Sequence, residues 1–154
     1  MPGETRVPDA RRAAVTPGES IHASCVALGG RALLIRGASG AGKSALALEL
    51  ISRGAALVSD DQTILRREGD QVIASAPPSI KGRIEARGVG LLHAPEAGPS
   101  EVAALVDLSQ VECERLPPAR ETDILGVTLP VIHRSDMTCF PAALILYLTD
   151  GRYA

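Results

Sequence analysis

Apolar residues in this chain come in short runs that glycine, proline or charged residues interrupt. Two such runs, 21–28 and 32–35, flank Gly29-Gly30, a pair typical of a two-residue β-hairpin turn. The following run, 44–53, has its larger apolar residues at helical spacing and predicts an α-helix. Gly54 stands where a left-handed residue commonly ends a helix. A hairpin followed by a helix is therefore predicted for this part of the chain.

The later part of the chain continues with similar runs and turn signals. We expect strands over 56–59, 63–67, 71–75, 89–92 and 102–108, a strand within 122–131 that ends at Pro130, and a final helix over 139–148 with Pro141 in its first turn and Asp136 as its cap. Because hairpins occur among these strands, the predicted fold class is α/β with a mixed, partly antiparallel sheet.

Composition fits one domain with an aliphatic core. Of the 154 residues, 45% are apolar but only 2% are aromatic, so alanine, valine, leucine and isoleucine must fill the core. Residues 1–18 are rich in proline and arginine and poor in large apolar side chains. We therefore predict a disordered leader over 1–18 and a single domain over 19–154.

Charge and cysteine usage narrow the class of protein further. The formal net charge of -2 gives no general attraction to nucleic acid or to anionic membranes. The longest apolar run, 142–148, is too short to span a bilayer, and no signal segment is evident. Cys25, Cys113 and Cys139 are odd in number and widely spaced. They favour three buried, reduced thiols in a cytoplasmic protein.

The segment between the second strand and the helix carries the strongest chemical signal. It reads Gly37-Ala38-Ser39-Gly40-Ala41-Gly42-Lys43-Ser44 and fits the pattern G-x-x-x-x-G-K-[ST]. In such a loop, glycines bring backbone N–H groups close to phosphate oxygens, and the helix that follows directs its positive end at them. Lys43 is placed to reach the β- and γ-phosphates, and the Ser44 hydroxyl to hold Mg²⁺.

Several other residues are candidates on weaker grounds. Asp60-Asp61 follows the strand after the helix, where a phosphoryl-transfer site needs carboxylates, although such a pair is equally typical of a solvated turn. The charged, glycine-rich segment 81–90 is either an exposed loop or a mobile catalytic segment that directs Glu85 at metal. Taken alone, His22 is more typical of a structural histidine and Arg115 of a surface residue.

Together these elements resemble the C-terminal catalytic domain of the HPr kinase/phosphorylase family. That family has a histidine at the start of the strand pair, the phosphate loop, an Asp-Asp pair and a segment of the form L-E-x-R-G-x-G. The corresponding elements are His22, residues 37–44, Asp60-Asp61 and the segment 84–90, which reads I-E-A-R-G-V-G. The resemblance implies a P-loop kinase domain with a nucleotide site like that of phosphoenolpyruvate carboxykinase.

The resemblance also implies a role for each matched residue. Lys43 and the loop would hold the phosphates of ATP, while Ser44 and Glu85 would bind Mg²⁺ with help from Asp60. Asp61 matches the proton acceptor for the attacking serine. His22 matches a further catalytic position, and so does Arg115, through a Glu-Arg-Leu segment that resembles the family's D-R-L.

The implied substrate is HPr, the phosphocarrier protein of the sugar phosphotransferase system. In reverse, phosphate would attack phosphoserine and release pyrophosphate, but the family's G-R-N segment, which is linked to that reaction, is replaced by 130–136. The resemblance further implies a homo-oligomer, since members assemble as hexamers, and the chain is expected to be a short form that lacks the family's N-terminal domain.

Other functions remain open on the same residues. A small-molecule kinase would use the same phosphate loop and carboxylates, and a plain ATPase would consume ATP without a partner. A nucleotide-sensing module without chemistry would need neither the Asp-Asp pair nor Glu85.

Overall fold

The structure, a computed structural model, describes residues 18–152, so that nearly all of the predicted leader lies outside the described residues. The elements are β1 (Glu19–Ile21), β2 (Ala23–Leu28), β3 (Arg31–Arg36), α1 (Lys43–Ser52), β4 (Ala56–Ser59), β5 (Thr63–Glu68), β6 (Gln71–Ser75), a 3₁₀ turn (Pro78–Ile80), β7 (Arg83–Ala86), β8 (Gly90–His93), β9 (Ser100–Val111), β10 (Glu121–Ile124), β11 (Val127–Arg134) and α2 (Phe140–Asp150).

Among these residues the strands form one large mixed sheet and a separate hairpin. The large sheet has the order β1-β5-β6-β9-β3-β2-β4, and β11 joins it beside β9 with β10 at its edge. The central strands β3, β9 and β11 run parallel, whereas β2 pairs antiparallel with both β3 and β4. The prediction of an α/β fold with a mixed, partly antiparallel sheet is therefore confirmed.

The large sheet separates two hydrophobic clusters. Leu33 and Ile35 of β3 pack with residues of α1 and α2 on one face, and Leu34 packs with residues of β5 and β6 on the other. This follows from the alternation of side chains along a strand. Because β3 is buried on both faces, the loop that leaves its carboxyl end has a rigid base.

Two early local predictions are confirmed in detail. Gly29 and Gly30, with φ of 59° and 81°, join β2 to β3. Positive φ at both central residues is what a two-residue hairpin turn requires. Gly54 follows α1 with φ of 110°, and its N–H donates to the Ile51 carbonyl at 3.1 Å.

The segment 122–131 does form strand structure, but the predicted end of that strand at Pro130 is wrong. This segment is the hairpin β10–β11, which turns at Leu125 and Gly126 with φ of 54° and 84°. The Gly126 N–H donates to Asp123 Oδ1 at 2.9 Å, and Arg67 Nη1 donates to the Leu125 carbonyl at 3.1 Å. These bonds hold a left-handed leucine that sequence patterns do not indicate. Pro130 lies within β11 rather than at its end.

The predicted cap of the final helix is also wrong. α2 begins after Cys139, whose side chain makes no capping hydrogen bond, and Pro141 lies in the first turn as predicted. Asp136 instead forms an ion pair with Arg134, with Oδ1 3.3 Å from Nε. Asp136 lies three residues before the N-cap residue Cys139, and its carboxylate pairs with Arg134 instead of the helix N-terminus.

Asp107 of β9 ties the base of the phosphate loop to the sheet. Its Oδ2 lies 3.3 Å from Nη2 of Arg36, and its Oδ1 accepts bonds from the Ser109 N–H at 3.0 Å and Oγ–H at 2.5 Å. Burial alone would raise the pKa of Asp107, but the bonds from Ser109 and the charge of Arg36 outweigh it and lower the pKa.

Asp107→Asn is therefore expected to reduce the free energy of unfolding by about 2 kcal/mol at pH 7. A depressed folded pKa stabilises the fold above the unfolded value of about 3.9, and this contribution is lost as pH falls through the folded pKa. The free energies of unfolding of wild type and variant, measured by urea denaturation, should thus converge as pH falls below the folded pKa of Asp107, with Asp70→Asn, on an exposed turn, as control. A gap that stays constant with pH would contradict the assignment.

Candidate active site

The phosphate loop lies between the carboxyl end of β3 and the start of α1. A Cβ atom at Gly37 would lie 3.0 Å from Ala41 Cβ and 3.1 Å from Leu108 Cβ, so only glycine allows this close approach without displacing its neighbours. Gly42, the residue before α1, has φ of 103°. The loop thus places several backbone N–H groups at the positive end of a helix, as an anion site requires.

Lys43 is nearly buried beneath this loop. Its side chain is 5% exposed, and Nζ donates to the Gly37 carbonyl at 2.9 Å and the Ala38 carbonyl at 3.2 Å. Nζ also lies 4.0 Å from Asp61 Oδ1. One ammonium group therefore stands between the loop backbone and a carboxylate.

The Asp60 carboxylate joins three elements of the fold. Its Oδ1 accepts bonds from Ser44 Oγ at 2.6 Å and from Ser24 Oγ at 3.0 Å. Its Oδ2 accepts the N–H of Glu85 at 3.1 Å. Asp60 therefore fixes the start of α1, strand β2 and strand β7 relative to one another.

Asp61 is held in a strained turn with its side chain accessible. Its φ is 67°, and the Gln62 N–H donates to the Asp60 carbonyl at 2.7 Å, which closes a γ-turn of the rare, left-handed kind. The carboxylate is 59% exposed, and its Oδ1 lies 2.7 Å from Nε2 of His22. Strain of this kind concentrates at functional sites. The structure brings His22, Lys43 and Asp61 together.

The hairpin β7–β8 forms the opposite wall of a cavity of about 550 Å³. Neither reading of 81–90, an exposed loop or a mobile catalytic segment, anticipated that Arg83–Ala86 is a strand, with the side chain of Ile84 buried in the core beside α1. The cavity is lined by Ser39, Gly40, Gly42, Lys43, Ser44, Ala45, Leu48, Asp61, Glu85, Ala86, Arg87 and Val89.

The residues predicted to hold metal lie together and have suitable donor atoms. Ser44 and Glu85 line the cavity, and Asp60 is hydrogen-bonded to both, through the Ser44 hydroxyl and the Glu85 N–H. A hydroxyl and two carboxylates form an all-oxygen set, which suits Mg²⁺. Within residues 18–152, no group of three or more His, Cys, Asp or Glu side chains lies close enough to hold a metal ion, so the role of these three residues as magnesium ligands stays a prediction.

Arg115 is the one predicted site residue that the structure does not bring into this cluster. It lies on the exposed segment between β9 and β10 and does not line the cavity. That segment leaves β9 beyond Leu108, which contacts the phosphate loop at Gly37. The segment that carries Arg115 therefore begins at the end of β9 near the loop, and the catalytic role of Arg115 stays a prediction.

The cysteine prediction is correct in part. All three thiols are free, but only Cys25 is buried, whereas Cys113 and Cys139 are exposed. Burial raises the pKa of the Cys25 thiol well above its usual range. The two exposed cysteines lie just after β9 and just before α2, outside the hydrophobic core in which all three were expected.

Ser24 is a site residue that sequence reasoning missed. It is fully buried, donates to Asp60 Oδ1 and accepts the N–H of Asp61, both at 3.0 Å. On the strand predicted over 21–28, Ser24 would share a face with His22, although in the structure His22 lies between β1 and β2. A polar residue within the apolar run 21–28 also needs a buried partner.

The fold and the loop define the class of protein: an α/β domain with a glycine-rich loop of the pattern G-x-x-x-x-G-K-[ST] between a strand and a helix. Residues 13–133 match the family model described as HPr Serine kinase C-terminal domain. The chain belongs to this family.

Curated relatives and a solved structure agree with this placement. The chain is 34% identical over 146 residues to the HPr kinase/phosphorylase of Chlorobium phaeobacteroides, covering 86% of this chain and 44% of that protein. It is 43% identical over 79 residues to the HPr kinase/phosphorylase of an Exiguobacterium species, covering 51% of this chain and 25% of that protein. The chain therefore spans less than half the length of these relatives.

The solved structure of the Hpr(Ser) kinase/phosphatase from Coxiella burnetii superposes with a TM-score of 0.70 at 30% identity. The superposition covers 85% of this chain and 93% of that one. Within residues 18–152, neither helix is long and apolar enough to cross a membrane.

Proposed function

We propose that this chain transfers the γ-phosphoryl group of ATP to a serine hydroxyl of the phosphocarrier protein HPr. The observation that carries the proposal is the position of Asp61: an accessible carboxylate 4.0 Å from the Lys43 ammonium of the phosphate loop. A proton acceptor and a phosphate-binding cation are thereby adjacent, as phosphoryl transfer requires. The names of the relatives supply the acceptor.

In the proposed reaction the serine oxygen attacks the γ-phosphorus. A new O–P bond forms, the bond from the γ-phosphorus to the β–γ bridging oxygen breaks, and ADP leaves with that electron pair. Asp61 accepts the hydroxyl proton of the serine. His22, 2.7 Å from Asp61, orients the carboxylate, and Lys43 offsets charge on the transferring group.

Ser44, Asp60 and Glu85 would hold Mg²⁺, because Ser44 and Glu85 line the same cavity and Asp60 is hydrogen-bonded to the Ser44 hydroxyl and the Glu85 N–H. When bound, Mg²⁺ neutralises charge on the β- and γ-phosphates. The chain's own contribution is the hydrogen bonding of Asp60, which holds the Ser44 hydroxyl and the backbone of Glu85 beside the loop.

We further place the protein in the cytoplasm, where reduced cysteines persist, and infer a homo-oligomer from the family resemblance. Arg115 is retained as a residue that assists transfer, because it matches a catalytic position in the family resemblance and its segment follows β9, whose Leu108 lies beside Gly37.

An acceptor comparison tests the proposal. The chain, Mg²⁺ and ATP labelled at the γ-phosphate are incubated with HPr, with HPr lacking the target serine, and with a panel of small metabolites. We expect label on serine of intact HPr alone. Label on a metabolite, with none on HPr, would establish a small-molecule kinase instead. Absence of label on every acceptor would contradict the proposed function.

A further inference from the structure

The buried hydroxyl of Ser24 connects both residues of the Asp-Asp pair. A hydroxyl has one proton to donate and lone pairs to accept. The Ser24 hydroxyl donates its proton to Asp60 Oδ1 and accepts the N–H of Asp61, both at 3.0 Å. It lies on β2, whose antiparallel neighbours β3 and β4 hold it in the interior of the sheet. The pair is thus anchored to a rigid strand.

The bond to the Asp61 N–H fixes the peptide group that precedes Asp61. Asp61 has φ of 67°, in a region that residues other than glycine rarely occupy. In this conformation its N–H is directed into the protein at Ser24 while its side chain is directed at His22. A local contact that persists in the folded protein is needed to hold such a turn.

The bond to Asp60 extends this anchor to the phosphate loop. Asp60 Oδ1 accepts the Ser24 and Ser44 hydroxyls together, at 3.0 Å and 2.6 Å. Ser44 follows Lys43 in the first turn of α1. Ser24 therefore sets the position of the Asp61 carboxylate relative to the loop, although its own side chain is buried away from the cavity.

We propose that Ser24 is a positioning residue for phosphoryl transfer, because its hydroxyl holds the strained Asp61 turn and the Asp60 carboxylate in register with the phosphate loop. This role rests on the proposed function. A misplacement of the proton acceptor by a fraction of an ångström should lower the rate of transfer more than the binding of nucleotide.

Ser24→Ala should reduce kcat for HPr phosphorylation about tenfold or more and change KM for ATP less than about threefold. Ser24→Thr, which keeps the hydroxyl, should recover most of the rate. Ser100→Ala is the matched control, since Ser100 is also buried and hydrogen-bonded, to the Gly98 carbonyl at 2.8 Å, but lies at the opposite end of β9. It should transfer at the wild-type rate.

Two further readouts separate positioning from simple destabilisation. In single-turnover assays, adding Ser24→Ala to the Asp61→Asn variant should lower the transfer rate by less than about a further twofold. A residue that acts through Asp61 has no effect once the carboxylate is gone. Amide hydrogen exchange at Asp61 should accelerate at least tenfold in Ser24→Ala, while Leu33 in the core stays protected.

The outcomes are distinguishable. A wild-type chain that never labels HPr overturns the proposed function and this role with it. A wild-type chain that labels HPr, with a Ser24→Ala variant equally fast, overturns the role of Ser24 alone. The role of Ser24 is also overturned if Ser24→Ala leaves amide hydrogen exchange at Asp61 unchanged. It is likewise overturned if Ser24→Ala lowers the transfer rate as much in the Asp61→Asn background as in wild type.

Discussion

Asp61→Asn should lower the rate of phosphoryl transfer to HPr about 10²- to 10⁴-fold, the usual contribution of a positioned proton acceptor. The amide of asparagine cannot accept the serine proton. Asparagine is nevertheless suited to this position, since it tolerates the left-handed conformation that Asp61 adopts with φ of 67°. The γ-turn and the bond from its N–H to Ser24 are therefore expected to remain.

The measurement is the single-turnover rate of HPr phosphorylation together with the affinity for a fluorescent ATP analogue. Affinity should change less than about threefold, since the carboxylate lies beside the loop rather than within it. Asp70→Asn, on the exposed turn between β5 and β6, is the matched control and should be indistinguishable from wild type. Wild-type transfer by Asp61→Asn would show that another group accepts the proton.

Lys43→Met should lower the rate of transfer about 10²- to 10³-fold, as expected for loss of a preorganised charge at the transferring group. Unlike Asp61→Asn, this change should also weaken nucleotide binding tenfold or more, because the ammonium lies under the phosphate loop and contacts its backbone. Methionine keeps an unbranched stem, so the packing beneath the loop is largely retained.

The chain offers an internal comparison for this experiment. Its two lysines are Lys43, which is nearly buried, and Lys81, which is exposed. Lys81→Met should leave nucleotide affinity and transfer unchanged. A lysine-selective reagent should modify Lys81 alone when Mg²⁺ and ATP are present. Equal losses from the two substitutions would indicate a general effect of charge rather than a role for Lys43.

The parts of the fold that the sequence predicted are those that local chemistry determines. Gly29 and Gly30 specify a tight hairpin because both adopt positive φ, and Gly54 ends α1 for a similar reason. The phosphate loop was recognisable because its function requires glycine and lysine at fixed spacing. These features depend on neighbouring residues in the chain and need no knowledge of tertiary contacts.

The parts that were missed depend on contacts between distant residues. Leu125 adopts a left-handed conformation supported by Arg67, which is remote in sequence. Strand β7 was not predicted, because its charged residues obscured the alternation that buries Ile84 and Ala86. Ser24 gave little signal, since its importance comes from Asp60 and Asp61 across the fold.

In the candidate site, too, the identity of the main residues was predicted from the sequence, whereas their tertiary contacts were not. His22, Lys43 and Asp61 were proposed from the sequence and the family resemblance, and the structure places them in contact. Asp60 was proposed as a metal ligand, yet its hydrogen bonds to Ser24, Ser44 and the Glu85 N–H also make it the residue that joins the walls of the site. That second role could not be predicted without the relative positions of β2, α1 and β7.

The most direct test of whether this site performs phosphoryl transfer is a single-turnover reaction in the presence and absence of HPr. The chain is in excess over labelled ATP, and Mg²⁺ is saturating. ADP and phosphoserine are counted in the same samples. We expect one phosphoserine for each ADP, formed only when HPr is present. ADP released at the same rate without HPr, or release of ADP with no phosphoserine, would contradict a protein-serine kinase site built from Lys43 and Asp61.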